Sequence, residues 1–450
     1  MSSSPGKPRQ GGPLLLKGGR VWVEGGPVRA DVRVEGGRIA AVGEGLGCPP
    51  GGEVLDVSSL DVLPAFADLH VHAGDRIGRF ELADSWGSAS QVAVATGITT
   101  LFGFATQAPG ETLSETLKRC QRRAEGALCQ VCFHLTPTTW PWDWEEVAAT
   151  VAQGVRTFKL YTTYREAGLY TPYRRFAVVM RRLVRLGGRL LVHCEDEGVL
   201  AAAATGAVDP SDPFSHTWRR PAAAEVEGIR RIVALARETG CPTHVVHVST
   251  AAGVRLVAAA RASGAPVTCE TAPHYLLLDQ ERLRGAGGHR FLCTPPLRDE
   301  ATRHELEQLA AAGAVDLFAT DHCAFSRQDK DAGGELAAVP QGLPGLGGLV
   351  PLSYELFVVR HRWTLGELAE KLAGAPARLA GLYPRKGCIR AGADADLVVL
   401  TTSPTPRPVR TTVADSYDPF AGWSSTLDVR WVLRGGVVVG GSAAGGAFHG

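Results

Sequence analysis

The chain lacks membrane-spanning length: no apolar run among its 450 residues reaches the ~20 needed to cross a bilayer as a helix. It lacks a charge bias as well. Lys plus Arg number 47 and Asp plus Glu 46, for a formal net charge of +1. That balance excludes nucleic acid and anionic membrane surfaces as expected partners, and leaves any steering to local groups. The opening MSSSPGKPRQGGP has no apolar core of the signal-peptide kind and reads as a disordered leader over 1–13. Disulfide spacing is missing too. The ten cysteines are scattered, mostly in apolar runs such as LCQVCFHL, as buried free thiols in a reducing cytoplasm would be. Cys129 and Cys132 form one C-x-x-C, but no second pair completes a zinc knuckle, so both read as structural. Lysine is scarce, with seven residues against forty arginines. A lysine inside an apolar strand is therefore conspicuous.

What is present falls into three pieces. From 14 to 63, short alternating runs such as GRVWVEG and ADVRVEG are punctuated by Gly-Gly, the pattern of β-hairpins in a small sheet. From 64 to 386 the pattern becomes strand then helix, repeated. Eight candidate strands end near His72, Phe104, Leu135, Tyr161, His193, Val248, Glu270 and Thr320, with helical stretches such as EVEGIRRIVALARETG between them. Eight such units predict a (β/α)8 TIM-like barrel, whose chemistry sits on the loops after the strand C-termini. From 387 to 440 strands return, in IRAGADADLVVL and LDVRWVLRGGVVVGG. They are expected to join 14–63 in a small β-sandwich domain. The closing residues 441–450 read as a disordered tail.

Six residues close apolar, strand-like runs: His70 and His72 in PAFADLHVH, Lys159 in VRTFKLY, His193 in GRLLVHCEDE, His247 in PTHVVHVST and Asp321 in VDLFATDHC. A single histidine so placed is usually a core or surface residue. Four of them with one Lys and one Asp read as the ligand set of a two-metal site. His70 and His72, at i and i+2 on one strand, face the same side. The barrel brings the other four to the same mouth. By alternation His244 points away from His247 and reads as structural. His134, His274 and His322 are weaker candidates, read as core residues or as outer partners of ligands. Lys159 has two readings. A protonated ammonium has no lone pair for a metal, but its carbamate, formed with carbon dioxide, is an anion able to bridge two ions. The alternative is a core lysine whose head snorkels to the surface or pairs with an acid.

Taken in order, HVH after PAFAD, FKLY, VHCEDE, HVVHVST, CETAPHYL, TPPLRDEA, ATDHCAF and GADADLVVL resemble the cyclic amidohydrolases of the amidohydrolase superfamily. That group holds dihydropyrimidinase and hydantoinase, allantoinase and dihydroorotase. The resemblance runs from about Gly18 to about Val438, and its specificity lies in the ordered set. It implies two Zn²⁺ per chain bridged by N6-carboxylated Lys159. His70, His72 and Asp321 would complete one metal's ligands, and His193 and His247 the other's. Such a pair supplies hydroxide near neutral pH, and Asp321 is placed to take its proton and pass it to the departing ring nitrogen. The partners expected are a small cyclic amide and further copies of the chain, as a dimer or tetramer.

Subfamily signals favour a hydantoinase or dihydropyrimidinase over a dihydroorotase or allantoinase. Dihydroorotases carry an arginine shortly after HxH; here HVHAGDRIG offers only Arg76, displaced and beside Asp75, which is expected to neutralise it. FGFATQ is closer to the corresponding run of hydantoinases. Tyr164 matches the tyrosine those enzymes aim at the oxyanion; its plain alternative is a rim tyrosine. Thr294 replaces a serine that reads the ring imide through its backbone, so the change is expected to be tolerated. Gln341, in VPQGLPG, departs from the family turn and is a doubtful contact. A non-catalytic scaffold of the dihydropyrimidinase-related kind is disfavoured because no ligand is missing. The loops from Ala73 to Glu81 and from Tyr164 to Thr171 would shape the site around the substrate's exocyclic group.

Overall fold

The computed structural model describes residues 12–206, 209–332 and 335–443. The leader expected over 1–13 and the tail expected over 441–450 lie outside the described residues, apart from 12–13 and 441–443.

Glycine turns build the small sheet. Leu14–Val23, Gly26–Glu35 and Arg38–Gly43 run antiparallel in chain order. Gly36 and Gly37 both have positive φ, 57° and 77°, as a two-residue hairpin matched to strand twist requires. The first strand shifts register at Gly18–Gly19 and changes neighbour there, from Glu53–Asp56 to Asp61–Pro64. A Cβ on Gly19 would meet side-chain carbons of Val57 and Val62 at 2.9 Å, so glycine lets the chains pass this close.

The C-terminal segment adds Leu397–Pro408, Ser424–Arg434 and Val437–Gly440, and Leu397–Leu400 pairs antiparallel with Asp61–Pro64. Segments from both ends of the chain thus share one mixed sheet. Its LVVL run is apolar throughout because both faces are covered. Leu397 and Val399 pack into the small domain's own core with Leu16, Val32 and Leu433. Val398 and Leu400 pack into the barrel core instead.

Eight parallel strands follow one another around the barrel: Phe66–Asp68, Ile98–Thr106, Gln130–Thr136, Thr157–Tyr161, Arg189–His193, Thr243–Val245, Val267–Thr271 and Leu317–Phe318. Helices fill the crossovers. Leu113–Arg123 starts with a reciprocal capping box between Thr112 and Glu115. Ala222–Thr239 ends at Gly240 in the left-handed conformation. The sixth strand stops at Val245, short of the expected end near Val248. His247 has φ +38°, which leaves the β region and breaks the ladder before it.

The barrel closes at its C-terminal rim. Val71–His72, just past the first strand, pairs in parallel with His322–Cys323, just past the eighth. Asp68 clamps the same joint: its carboxylate accepts from Thr320 N (3.1 Å), Thr320 Oγ1 (2.5 Å) and His70 N (3.1 Å). Burial pushes the Asp68 carboxyl up to about 7 despite these donors. Candidate ligands flank this seam on both strands.

Candidate metal centre

His70, His72 and Asp321 offer ligand atoms that all lie within 4.8 Å of one another, a group able to hold a metal ion. His70 Nε2 and His72 Nε2 stand 3.1 and 3.4 Å from Asp321 Oδ1. The other nitrogen of His70, Nδ1, lies 2.6 Å from Glu270 Oε1. Glu270 Oε2 is 3.0 Å from His244 Nε2, and His244 Nδ1 is 2.8 Å from Thr268 Oγ1. Burial pushes the Glu270 carboxyl up, but His70 and His244 outweigh it and hold the group well below the usual carboxylate range. An ionised Glu270 accepts the Nδ1 proton and leaves the Nε2 lone pair facing Asp321, the tautomer a metal needs.

A second pair stands beside the first. His193 Nδ1 and His247 Nε2 are 2.9 Å apart, and the His247 ring lies 5.3 Å from that of His70. Burial holds both imidazoles below their ordinary pKa, hence neutral and with a lone pair to give. His193 Nε2 is 2.8 Å from Glu195 Oε2, which also takes the Arg220 guanidinium. Lys159 is 1% exposed. Its Nζ lies 5.0 Å from the Phe104 ring and 5.2 Å from the Tyr161 ring. Among the described residues it makes no hydrogen bond or ion pair. Burial lowers the amine to about 8, against the pull of Asp321 and Glu270. The lysine therefore neither snorkels nor pairs with an acid.

Three of the five non-glycine residues with positive φ among the described residues belong to this region: Tyr164 (68°), His247 (38°) and Asp321 (49°). Each such backbone costs ~1–3 kcal/mol and persists only where its surroundings hold it. The Tyr164 ring sits 4.9 Å from that of His193. His72 and Asp321 keep 22% and 16% side-chain exposure while His70 keeps 1%. The open side of the site is therefore at His72 and Asp321.

Thr294 lies on a pinned segment. Leu292 O accepts from Lys330 Nζ and Gly342 N, Cys293 O is bonded by His216 Nε2, and Pro295 O accepts from Tyr275 OH. The N–H and C=O of Thr294 have no partner among the described residues, while its hydroxyl bonds Gln341 Oε1. The structure thus brings these two residues together. Arg76 stands apart: its side chain is exposed and donates to Arg79 O (3.1 Å). The expected neutralisation by Asp75 does not occur, because that carboxylate pairs with Arg123 (2.5 Å) and Arg119 (4.0 Å).

The weaker histidines separate. His134 bridges Leu69 O and Thr157 Oγ1 inside the barrel. His322 accepts Gly345 N and Leu346 N at Nδ1, so its Nε2–H is left for Asp84 Oδ2 at 3.1 Å. His274 is buried against the Tyr275 ring. His244, read as structural, orients a ligand's partner. Sequence reasoning missed Glu270, Glu195 and Arg220; the available signal was a carboxylate closing an apolar strand in VTCET and another in HCEDE.

The sequence profile of the amidohydrolase family matches residues 62–439. A D-hydantoinase of Streptomyces coelicolor is 32% identical over 405 residues, which cover 86% of this chain and 85% of that protein. A D-phenylhydantoinase of Escherichia coli is 30% identical over 399 residues, with the same coverage. The solved structure of dihydropyrimidinase from Brevibacillus agri matches with a TM-score of 0.89 at 27% identity, over 95% of each chain.

Proposed function

The chain belongs to the amidohydrolase family, and from that premise we propose that it hydrolyses the amide bond of a cyclic amide or imide, as a hydantoinase or dihydropyrimidinase does, at a binuclear zinc site. The observation that carries this reading is the grouping of His70, His72 and Asp321 beside the His193–His247 pair, with a buried Lys159 that has no hydrogen-bond or ion-pair partner among the described residues. In this reading Lys159 would be N6-carboxylated, and its carbamate would help to hold both ions. An amine lowered to about 8 is still mostly protonated near physiological pH but holds a far larger neutral fraction than an ordinary lysine, and only the neutral amine has the lone pair that attacks carbon dioxide. His70, His72 and Asp321 hold one ion, and His193 and His247 the other. When bound, the metals supply an acidified water and polarise the carbonyl under attack.

The remaining work falls to side chains. Asp321, at the open edge of the site, takes the proton of the attacking water and returns it to the departing ring nitrogen. Tyr164 donates its phenol proton to the oxyanion; burial raises its pKa, so the hydroxyl is a donor throughout the working range. The free N–H and C=O of Thr294 match the adjacent acceptor and donor of a ring imide. The product is an N-carbamoyl or related open-chain acid. Arg76, turned to a backbone carbonyl, is not poised to clamp a carboxylate, and an unpaired buried carboxylate costs several kcal/mol. Neutral rings are accordingly preferred over dihydroorotate.

No helix of the described residues is long and apolar enough to cross a membrane. The ten free cysteines suit a reducing cytoplasm, and the oligomer, a dimer or tetramer, is open to sedimentation. The deciding experiment is a spectrophotometric panel of hydantoin, dihydrouracil, dihydroorotate, allantoin and phthalimide on zinc-loaded protein. A kcat/KM for hydantoin or dihydrouracil far above that for dihydroorotate is expected. A preference for dihydroorotate would overturn the assignment, and Arg76→Ala would then test whether that arginine is the clamp.

A further inference from the structure

Glu195 is wholly buried and offers one oxygen, Oε2, to two partners: His193 Nε2 at 2.8 Å and the Arg220 guanidinium. Its other oxygen, Oε1, is buried without a hydrogen-bond partner among the described residues. Arg220 also lies against the Tyr164 ring, with Cζ 5.2 Å from the centroid. One guanidinium thus touches both the carboxylate behind a candidate ligand and the phenol expected to face the substrate. It is anchored from behind, because Arg220 O accepts from Arg298 Nη1 (2.6 Å), and Arg298 Nε donates to Ser249 Oγ (2.9 Å). The two strand ends are tied as well. Thr162, two residues before Tyr164, donates to His193 O and Glu195 O and accepts from Glu195 N.

We propose that Arg220 is a positioning residue that couples the His193 side of the metal centre to Tyr164. Its charge fixes Glu195 as an acceptor, which keeps the His193 proton on Nε2 and leaves the Nδ1 lone pair for a metal. Its flat face supports the Tyr164 ring, whose backbone at φ 68° requires an external hold. Lysine can perform the first task as a point charge but has no planar face for the second. The consequence for turnover rests on the cyclic amide reading above, in which Tyr164 donates to the oxyanion; the coupling itself does not.

The test compares Arg220→Lys and Arg220→Met with the parent, each checked for folding by circular dichroism. Arg220→Lys should keep full zinc content but lose roughly 100-fold in kcat, the effect of a ~1 Å misplacement of a reacting group. Arg220→Met should lose the second zinc equivalent as well. In a Tyr164→Phe background, Arg220→Lys should cost little more, because the group it positions is gone. A readout independent of turnover is the ¹⁹F resonance of 3-fluorotyrosine at position 164. It should move on zinc loading in the parent and stay still in Arg220→Lys, which keeps its full zinc content. Parental kcat in Arg220→Lys, additive losses with Tyr164→Phe, or a resonance that responds equally in all three would overturn the proposal. A responsive resonance in a parent that opens no ring would sink the cyclic amide reading and leave the coupling standing.

Discussion

At the scale of single residues, Lys159 and Asp321 carry the clearest expectations. A buried amine that no acid pairs with directly among the described residues is a poor resting place for a charge. The proposed carboxylation would remove the misfit by replacing an ammonium with an anion able to bridge two metals. Lys159→Ala should therefore lose about two zinc equivalents and activity together, with partial recovery of both on adding short carboxylates. Metal analysis beside rate assays checks this, and a mutant with full metal and full rate would refute the bridge. Asp321→Asn should keep much of its metal, since an amide oxygen still ligates weakly, yet turn over ~10²-fold more slowly for want of a proton carrier. Near-parental turnover in a fully metallated mutant would assign the proton to another group. These residues were legible in sequence because each closes an apolar strand. Glu270 closes an apolar strand as well, yet its partner His70 lies 200 residues away, and the local pattern does not say which side chain it serves. Asp75 misled for the same reason, its adjacency to Arg76 counting for less than Arg123 on a distant helix.

At the scale of elements, the alternation of strand and helix was readable, and the departures from it have causes. The sixth strand ends early because His247 leaves β space, a demand of the site and not of its own propensity. Buried histidines that stitch elements together set the acid response. His134 joins Leu69 to Thr157, and His216 joins the Ser215–Arg219 helix to Cys293. Burial lowers His134 to about 3, and His216 and His274 to about 4. Between those values and ~6.5 such a histidine binds its proton only when unfolded, so stability is whole above ~6.5 and falls with pH below it. The slope approaches ~1.4 kcal/mol per pH unit for each group. Denaturant melts of metal-free protein should show a lower midpoint at pH 5 than at pH 7. Equal midpoints would mean these rings are charged in the fold. Asp68, raised to about 7, and Glu225, also raised by burial, oppose the trend, while His70, His193 and His247, lowered by burial, add to it in the metal-free protein.

At the scale of the whole molecule, distant parts of the chain meet twice: the N- and C-terminal segments in the shared small sheet, and the first and eighth barrel strands at the seam. Hairpin turns and periodicity in the sequence indicated both. They did not indicate that the LVVL run serves two cores at once, which follows only when the sheet lies against the barrel. The seam has a temporal meaning. Asp68 and Thr320 are 252 residues apart, so the joint that gathers His70, His72 and Asp321 closes a very long loop, at a correspondingly large cost in chain entropy. A nascent chain not yet past residue 321 has no complete ligand set, whatever its earlier strands have done. On the proposed reading, the full ligand set exists only once the seam is made, and ions bound there would add their binding free energy to the closed state.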